Sequence, residues 1–206
     1  MQKEGKRVVI STIYEGYAIR HAIPKLSPDK LILLIDEPAD EKKKEKMYDV
    51  IKSLKDFFKD AIEIETNKIS SYDLPKIMGE VINIIDKEAK EGNKIIIHIT
   101  EGRKITSLSL LFAAYRRKEK IEASYYITEE EHRLINLPML DFQFSGTKKI
   151  LLNEISKNNI EPDELMKKLE IGKSALYQNI QELRKEGYLE DSKELKITEL
   201  GRIMII

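Results

Sequence analysis

KIIIHITEGRKITSLSLLFAAYRRK, Lys94 to Lys118, is the stretch whose reading decides the fold. Four isoleucines fall in the five residues after Lys94, so the segment starts as a strand with apolar side chains on both faces. It then turns polar through Thr100-Glu101-Gly102-Arg103-Lys104. Beyond that, Ile105, Leu108, Phe112 and Tyr115 recur three and four residues apart, on one side of a helix. A connecting loop needs the glycine but not two cations beside it.

The same rhythm extends toward the N-terminus. Arg7–Tyr14 (RVVISTIY) and Lys30–Asp36 (KLILLID) read as apolar strands, the second stopped by Glu37-Pro38. Residues 39–60 carry Met47, Val50, Ile51, Leu54 and Phe58 on one helical face. Ala61–Thr66 (AIEIET) alternates like a short strand, and Leu74–Gly92 has helical spacing at Ile77, Val81, Ile84 and Ile85. Toward the C-terminus, Ala123–Thr128 (ASYYIT) predicts a further strand and Ile135–Leu140 an edge strand tolerating Pro138. Strands buried on both faces, alternating with helices, imply a mostly parallel sheet covered by helices. The fold class is therefore α/β, with a Rossmann-like domain over residues 1–140.

In an open parallel sheet, ligands bind outside the carboxyl ends of the strands, near the reversal of strand order. Thr100–Lys104 is such an end, and the following helix N-terminus supplies free N–H groups and partial positive charge. The first strand carries Ser11, Thr12, Tyr14 and Gly16 at the equivalent place. Hydroxyls, an aromatic ring and cations there suit a phosphate-bearing ligand. Neither turn is GxGxxG, and no GxxxxGK[ST] occurs, which argues against a nicotinamide enzyme or a nucleoside triphosphatase.

The rest of the composition excludes more than it selects. Over 206 residues, 41% are hydrophobic and 35% charged, as in a globular chain. Lys+Arg and Asp+Glu are 36 each, so bulk charge names no partner. Without cysteine there are no disulfides, thiol nucleophiles or cysteine zinc sites. No apolar run approaches the roughly 20 residues of a membrane span, and the start does not read as a signal peptide. A cytoplasmic location without membrane attachment is the expectation. His21, His98 and His132 are far apart in sequence and lack ligand spacing, so no metal site is expected. His98 reads as a satisfied core histidine, and the Lys42–Lys46 charge run as the solvated side of a helix.

After Leu140 the rhythm changes. Residues 145–158, EPDELMKKLE and Ser174–Gly187 read as three helices, with Ser174 as N-cap and Pro162 near the start of the second. YLEDSKELKIT then suggests a two-stranded hairpin. Residues 141–206, with the boundary near Asp141–Gly146, are expected to form a small winged helix-turn-helix domain. Leu176, Ile180 and Leu183 face its core. Lys173, Ser174, Tyr177, Gln178, Gln181, Arg184 and Lys185 line the opposite side, chemically suited to base edges and phosphates in a DNA groove. Ser192, Lys193 and Lys196 in the wing could touch phosphates. Residues 143–206 hold eleven basic and eleven acidic residues, less basic than a DNA-binding domain usually is.

A Rossmann-like domain with a hydroxyl-bearing first strand end, a TEGRK turn after the fourth strand and a C-terminal winged helix resembles the CARF (CRISPR-associated Rossmann fold) regulators. The resemblance spans the whole chain. It implies a homodimer binding a cyclic oligoadenylate, usually cyclic tetra-adenylate, across the two-fold axis as effector, with no other cofactor. The first ligand motif corresponds to Ser11, Thr12, Tyr14 and Glu15, the second to Thr100, Gly102, Arg103 and Lys104. Glu101 stands where the second motif often has another glycine, and a carboxylate there repels phosphates unless it points away. The leading expectation is a transcriptional regulator binding promoter or CRISPR-locus DNA. Two alternatives stay open: a ring nuclease cleaving its own ligand with help from Arg103 or Lys104, and an adaptor whose winged helix docks a protein.

Overall fold

The computed structural model describes residues 5–140, 146–157, 162–192, 194–198, 200–201 and 205. Two compact units divide the chain, Met1–Met139 and Leu140–Ile206.

The first unit is a six-stranded sheet in the order β3-β2-β1-β4-β5-β6. Its strands are β1 (Arg7–Thr12), β2 (Lys30–Ile35), β3 (Glu63–Lys68), β4 (Lys94–His98), β5 (Ile121–Ile127) and β6 (Leu134–Leu137). All neighbours are parallel except β5 and β6. The helices are α1 (Tyr17–Leu26), α2 (Glu41–Phe57), α3 (Leu74–Lys90) and α4 (Lys104–Arg116). Val8 and Ile10 of β1 point to one face and Val9 to the other. The first pair packs with Ile77, Val81 and Ile85 of α3 and with Leu110 and Ala113 of α4. Val9 packs with Ile19 and Ile23 of α1 and Ile51 and Leu54 of α2. Both faces of β1, β2 and β4 are thus buried, as their unbroken apolar runs predicted. Sheet order reverses between β1 and β4, which sets the two polar tips side by side.

Several boundaries differ from the sequence reading. β1 stops at Thr12, because Ile13 to Gly16 form the turn into α1. β3 lies two residues further on, and β6 ends before Pro138, whose missing N–H cannot serve a ladder. Helix α1 had no counterpart in that reading. It starts after a left-handed Gly16 (φ 72°), contains Pro24 and buries Ala18, Ile19, Ala22, Ile23 and Leu26. On α4 the side bearing Leu108 and Phe112 faces outward, 46% and 38% exposed. The helix instead buries Thr106, Ser109, Leu110, Ala113 and Ala114. These mostly small side chains let it lie close to the sheet.

The second unit contains α5 (Gly146–Ser156), α6 (Pro162–Leu169) and α7 (Lys173–Lys185). An antiparallel bridge joins Leu189 and Ile197, flanked by hydrogen bonds from Glu190 N–H to Lys196 O and from Thr198 N–H to Tyr188 O. Leu176, Ile180 and Leu183 pack with Leu151, Leu152, Ile155, Leu165 and Tyr188. The N-cap of α7 is Gly172 and not Ser174, which lies within the first turn. The expected boundary residues Asp141–Ser145, and Glu161 and Lys193, lie outside the described residues. No helix among the described residues is long and apolar enough to cross a membrane.

Candidate functional site

The β1 and β4 tips are joined by a buried polar chain. Ser11 and Thr12 have no exposed surface. Ser11 Oγ donates to Thr12 O and lies 2.9 Å from His98 Nδ1, so that nitrogen carries the ring proton. His98 Nε2 then accepts from Thr100 Oγ1 at 2.9 Å, while Ile127 N–H donates to the same oxygen at 2.8 Å. Every group is satisfied by a neutral ring. Burial holds the His98 pKa down at about 4. His98 is therefore a satisfied core histidine; the Ser11 and Thr12 hydroxyls shape the tip from within rather than face solvent, and the hydroxyl of the half-buried Thr100 is taken up by His98 and Ile127.

Glu101 binds across the gap to the first turn. Its carboxylate accepts N–H bonds from Tyr14 (2.9 Å), Gly16 (2.7 Å) and Ala18 (2.6 Å). Its carbonyl accepts from the Thr12 hydroxyl and, at 2.9 Å, from Ser107. Gly102 follows with φ +86°, and a Cβ there would meet Thr12 Cβ at 2.9 Å. Position 102 requires glycine both for its backbone angle and for this close approach.

Arg103 turns the other way. Its guanidinium donates to Asp36 at the end of β2 and lies 4.8 Å from the centre of the Tyr72 ring. Asp36 also accepts from Ser71 and from Thr106 (3.1 Å). Beside this network is a cavity of about 280 Å³ with Ile13, Pro38 and Met47 as apolar lining. Tyr14, Tyr72, Lys43, Lys46 and Arg103 supply aromatic and cationic groups around it, beside the carboxylates of Glu15, 3.9 Å from Lys46, and of Asp36. Tyr14 and Tyr72 are 65% and 74% exposed, with Arg103 over one face of the Tyr72 ring. Lys104, the first residue of α4, is exposed at the same sheet end. The arrangement suits a heteroaromatic group carrying phosphate, since rings offer stacking and cations charge-assisted hydrogen bonds.

The structure thus brings together Tyr14, Gly102, Arg103 and Lys104 at the surface of one sheet end, with Ser11, Thr12 and Thr100 beneath them. Sequence reasoning missed Asp36, Tyr72, Lys43 and Lys46. The two lysines lay in a charge run assigned to solvent, and nothing in the chain order ties Tyr72 to position 103. A second unanticipated cluster joins two histidines. His21 and His132 stack with centroids 4.0 Å apart, and the Tyr17 hydroxyl lies 2.7 Å from His132 Nε2. Burial, then the neighbouring His132, lowers the His21 pKa. Among the described residues no group of three or more His, Asp and Glu is arranged to hold a metal ion.

In the second unit, Lys173, Ser174, Tyr177, Gln178, Gln181 and Lys185 are exposed along α7. Arg184 is half-buried, and its guanidinium donates to Ser192 O. Lys196 pairs with Glu194 at 2.8 Å.

Comparison with solved structures finds the same Rossmann-like fold. Enterococcus italicus Csm6 bound to cyclic hexa-2'-fluoro-hexa-dAMP is 12% identical, with a TM-score of 0.59 covering 91% of this chain and 51% of that one. Can2 from Sulfobacillus thermosulfidooxidans in complex with cyclic tetra-adenylate is 12% identical, with a TM-score of 0.50 over 96% of this chain and 62% of that one. A type III CRISPR defence DNA nuclease activated by cyclic oligoadenylate is 14% identical, with a TM-score of 0.50 over 98% and 29%. At these identities the likeness is one of fold, and the chain spans about half of the first structure's length and under two thirds of the second's. No curated protein sequence matches the chain. Residues 8–132, more than half of the chain, match the family described as "HFX_2341_N:-like, N-terminal", and the chain belongs to that family.

Proposed function

We propose that the protein is a CARF-type sensor of cyclic oligoadenylate, in the first instance cyclic tetra-adenylate, that acts as a transcriptional regulator. Residues 1–140 hold the ligand, and residues 141–206 form a winged helix-turn-helix that binds DNA. The observation that carries the reading is the sheet-end site, where Arg103, Lys43, Lys46 and Lys104 stand with the exposed rings of Tyr14 and Tyr72. Two structures of the same fold hold a cyclic oligonucleotide, Csm6 and Can2.

A cyclic ligand is symmetric and is best held on a two-fold axis by two copies of one patch. The outward apolar side of α4, with Leu108 and Phe112, supports a homodimer, because such a stripe on a helix surface calls for a partner. Helix α4 starts at Lys104, so two copies packed along it would share their Arg103–Lys104 ends.

Three helices followed by an antiparallel pair, with polar residues exposed along α7, support the winged-helix reading of the second unit. Gln178 and Gln181 suit base edges, and Lys173 and Lys185 suit phosphates. Arg184 is engaged by Ser192 and braces the wing. Ligand can shift DNA binding only by the difference in its affinity for the two states of the dimer. The test is fluorescence anisotropy on promoter and CRISPR-locus fragments at several salt concentrations, with and without cyclic tetra-adenylate. Binding that weakens steeply with salt and changes with the ligand is the expected result. No DNA binding at low salt in either condition would overturn the regulator reading in favour of an adaptor.

A further inference from the structure

In a sheet of this topology, the crevice at the reversal of strand order, with the first helix N-terminus beside it, is where a ligand phosphate settles. Here the chain's own Glu101 fills that position. Gly16 is the N-cap of α1 and Ala18 its second residue. Their N–H groups, the ones a phosphate would use, donate to the Glu101 carboxylate at 2.7 and 2.6 Å. The Thr12 and Ser107 hydroxyls hold its carbonyl and Gly102 closes against Thr12, so the backbone is fixed with the carboxylate in reach of the three N–H groups of Tyr14, Gly16 and Ala18 that hold it. The neighbouring Arg103 faces Asp36 and Tyr72 instead. Two residues on either side of Gly102 therefore divide the sheet end, with a carboxylate at α1 and, at the cavity, Arg103, Lys43 and Lys46 beside Asp36 and Glu15.

We propose that Glu101 is a specificity-determining residue: a resident anion that keeps phosphate out of the α1 N-terminus and confines a ligand's phosphates to the Arg103 side. This refines the reading of the tip as a cyclic oligoadenylate site and rests on it, but its test needs no cyclic oligoadenylate. Inorganic phosphate is titrated into the full-length protein while the backbone amide signals of Gly16 and Ala18 are followed by NMR. In the native chain these two signals stay still as phosphate rises. In Glu101→Ala they move saturably, with an apparent affinity about tenfold or more above any native response, as an opened helix N-terminus implies. Glu101→Gln has the same size and keeps an acceptor oxygen. It guards against a folding defect in the alanine variant and shows the same movement in a weaker form, because the charge and one of the two acceptor oxygens are lost while the side chain still fills the site. Native signals that already move saturably with phosphate would overturn the proposal. So would folded variants whose signals respond no more than native ones. Cyclic tetra-adenylate added to the native chain in a separate arm reports through Tyr72, Arg103 and Lys104. Silence there with the phosphate result intact removes the ligand assignment and leaves the role of Glu101.

Discussion

Protonating His98 would place a charge in a site with no exposed surface, where burial penalises the charged ring. The folded ring holds a pKa of about 4 through burial, against about 6.5 for a free histidine. Between those values the unfolded chain binds a proton that the folded chain refuses. The stability due to the neutral ring is thus full above pH 6.5 and falls as pH drops toward 4, by about 3 kcal/mol in all. Urea unfolding at pH 7, 6 and 5 should show this loss in the native chain and a flatter profile in His98→Gln. Equal slopes would contradict the assignment. That histidine was legible as a core residue from its place in the isoleucine run. Glu101 was legible only as an anomaly, a carboxylate where glycine is common. Its partners Tyr14, Gly16 and Ala18 lie more than eighty residues earlier, and no local pattern reveals a hydrogen bond across that distance.

Among the elements, β2, β3 and α3 are joined by a buried charge cluster. Lys30 donates to Glu88 and pairs with Glu65, both at 2.8 Å, with the Lys30 and Glu88 side chains 7% and 1% exposed. Burial would lower the lysine pKa, but the bonds from Glu65 and Glu88 outweigh it and raise it. Lys30→Met leaves two carboxylates without their cation, and breaking such a buried pair costs about 3–5 kcal/mol. Chemical denaturation should show that loss, and a variant as stable as the native chain would contradict it. Helix α4 supplies a second expectation: Leu108→Glu with Phe112→Glu should convert the proposed dimer to a folded monomer in light scattering, with a melting temperature that no longer rises with protein concentration. An unaltered dimer would move the interface elsewhere. Strand and helix types were legible where hydrophobic periodicity is strong, as in β1, β2, β4 and α3. Helix α1 escaped because Gly16 and Pro24 punctuate it and only ten residues remain. The spacing on α4 marked an apolar side correctly, yet spacing alone does not say whether that side meets the sheet or another molecule.

For the whole molecule, the order of apolar runs was enough to give a mostly parallel α/β sheet, and the tips of β1 and β4 were legible as a polar site. The cavity was not, because it is assembled from β2, α2 and the segment before α3, whose residues meet only in the fold. Asp36 and Tyr72 hold Arg103 in the free chain, so the proposed site would be partly organised before a ligand bound. Binding energy is then not diverted to ordering that side chain. The central claim is that this sheet end binds a cyclic oligoadenylate, and calorimetric titration of the full-length protein with cyclic tetra-adenylate tests it most directly. The expected result is one ring per two chains, with affinity reduced at least about tenfold in Arg103→Ala, the loss of one charge-assisted hydrogen bond. No heat and no competition by the unlabelled ring in a parallel labelled-ligand assay, with the native chain folded, would contradict the account.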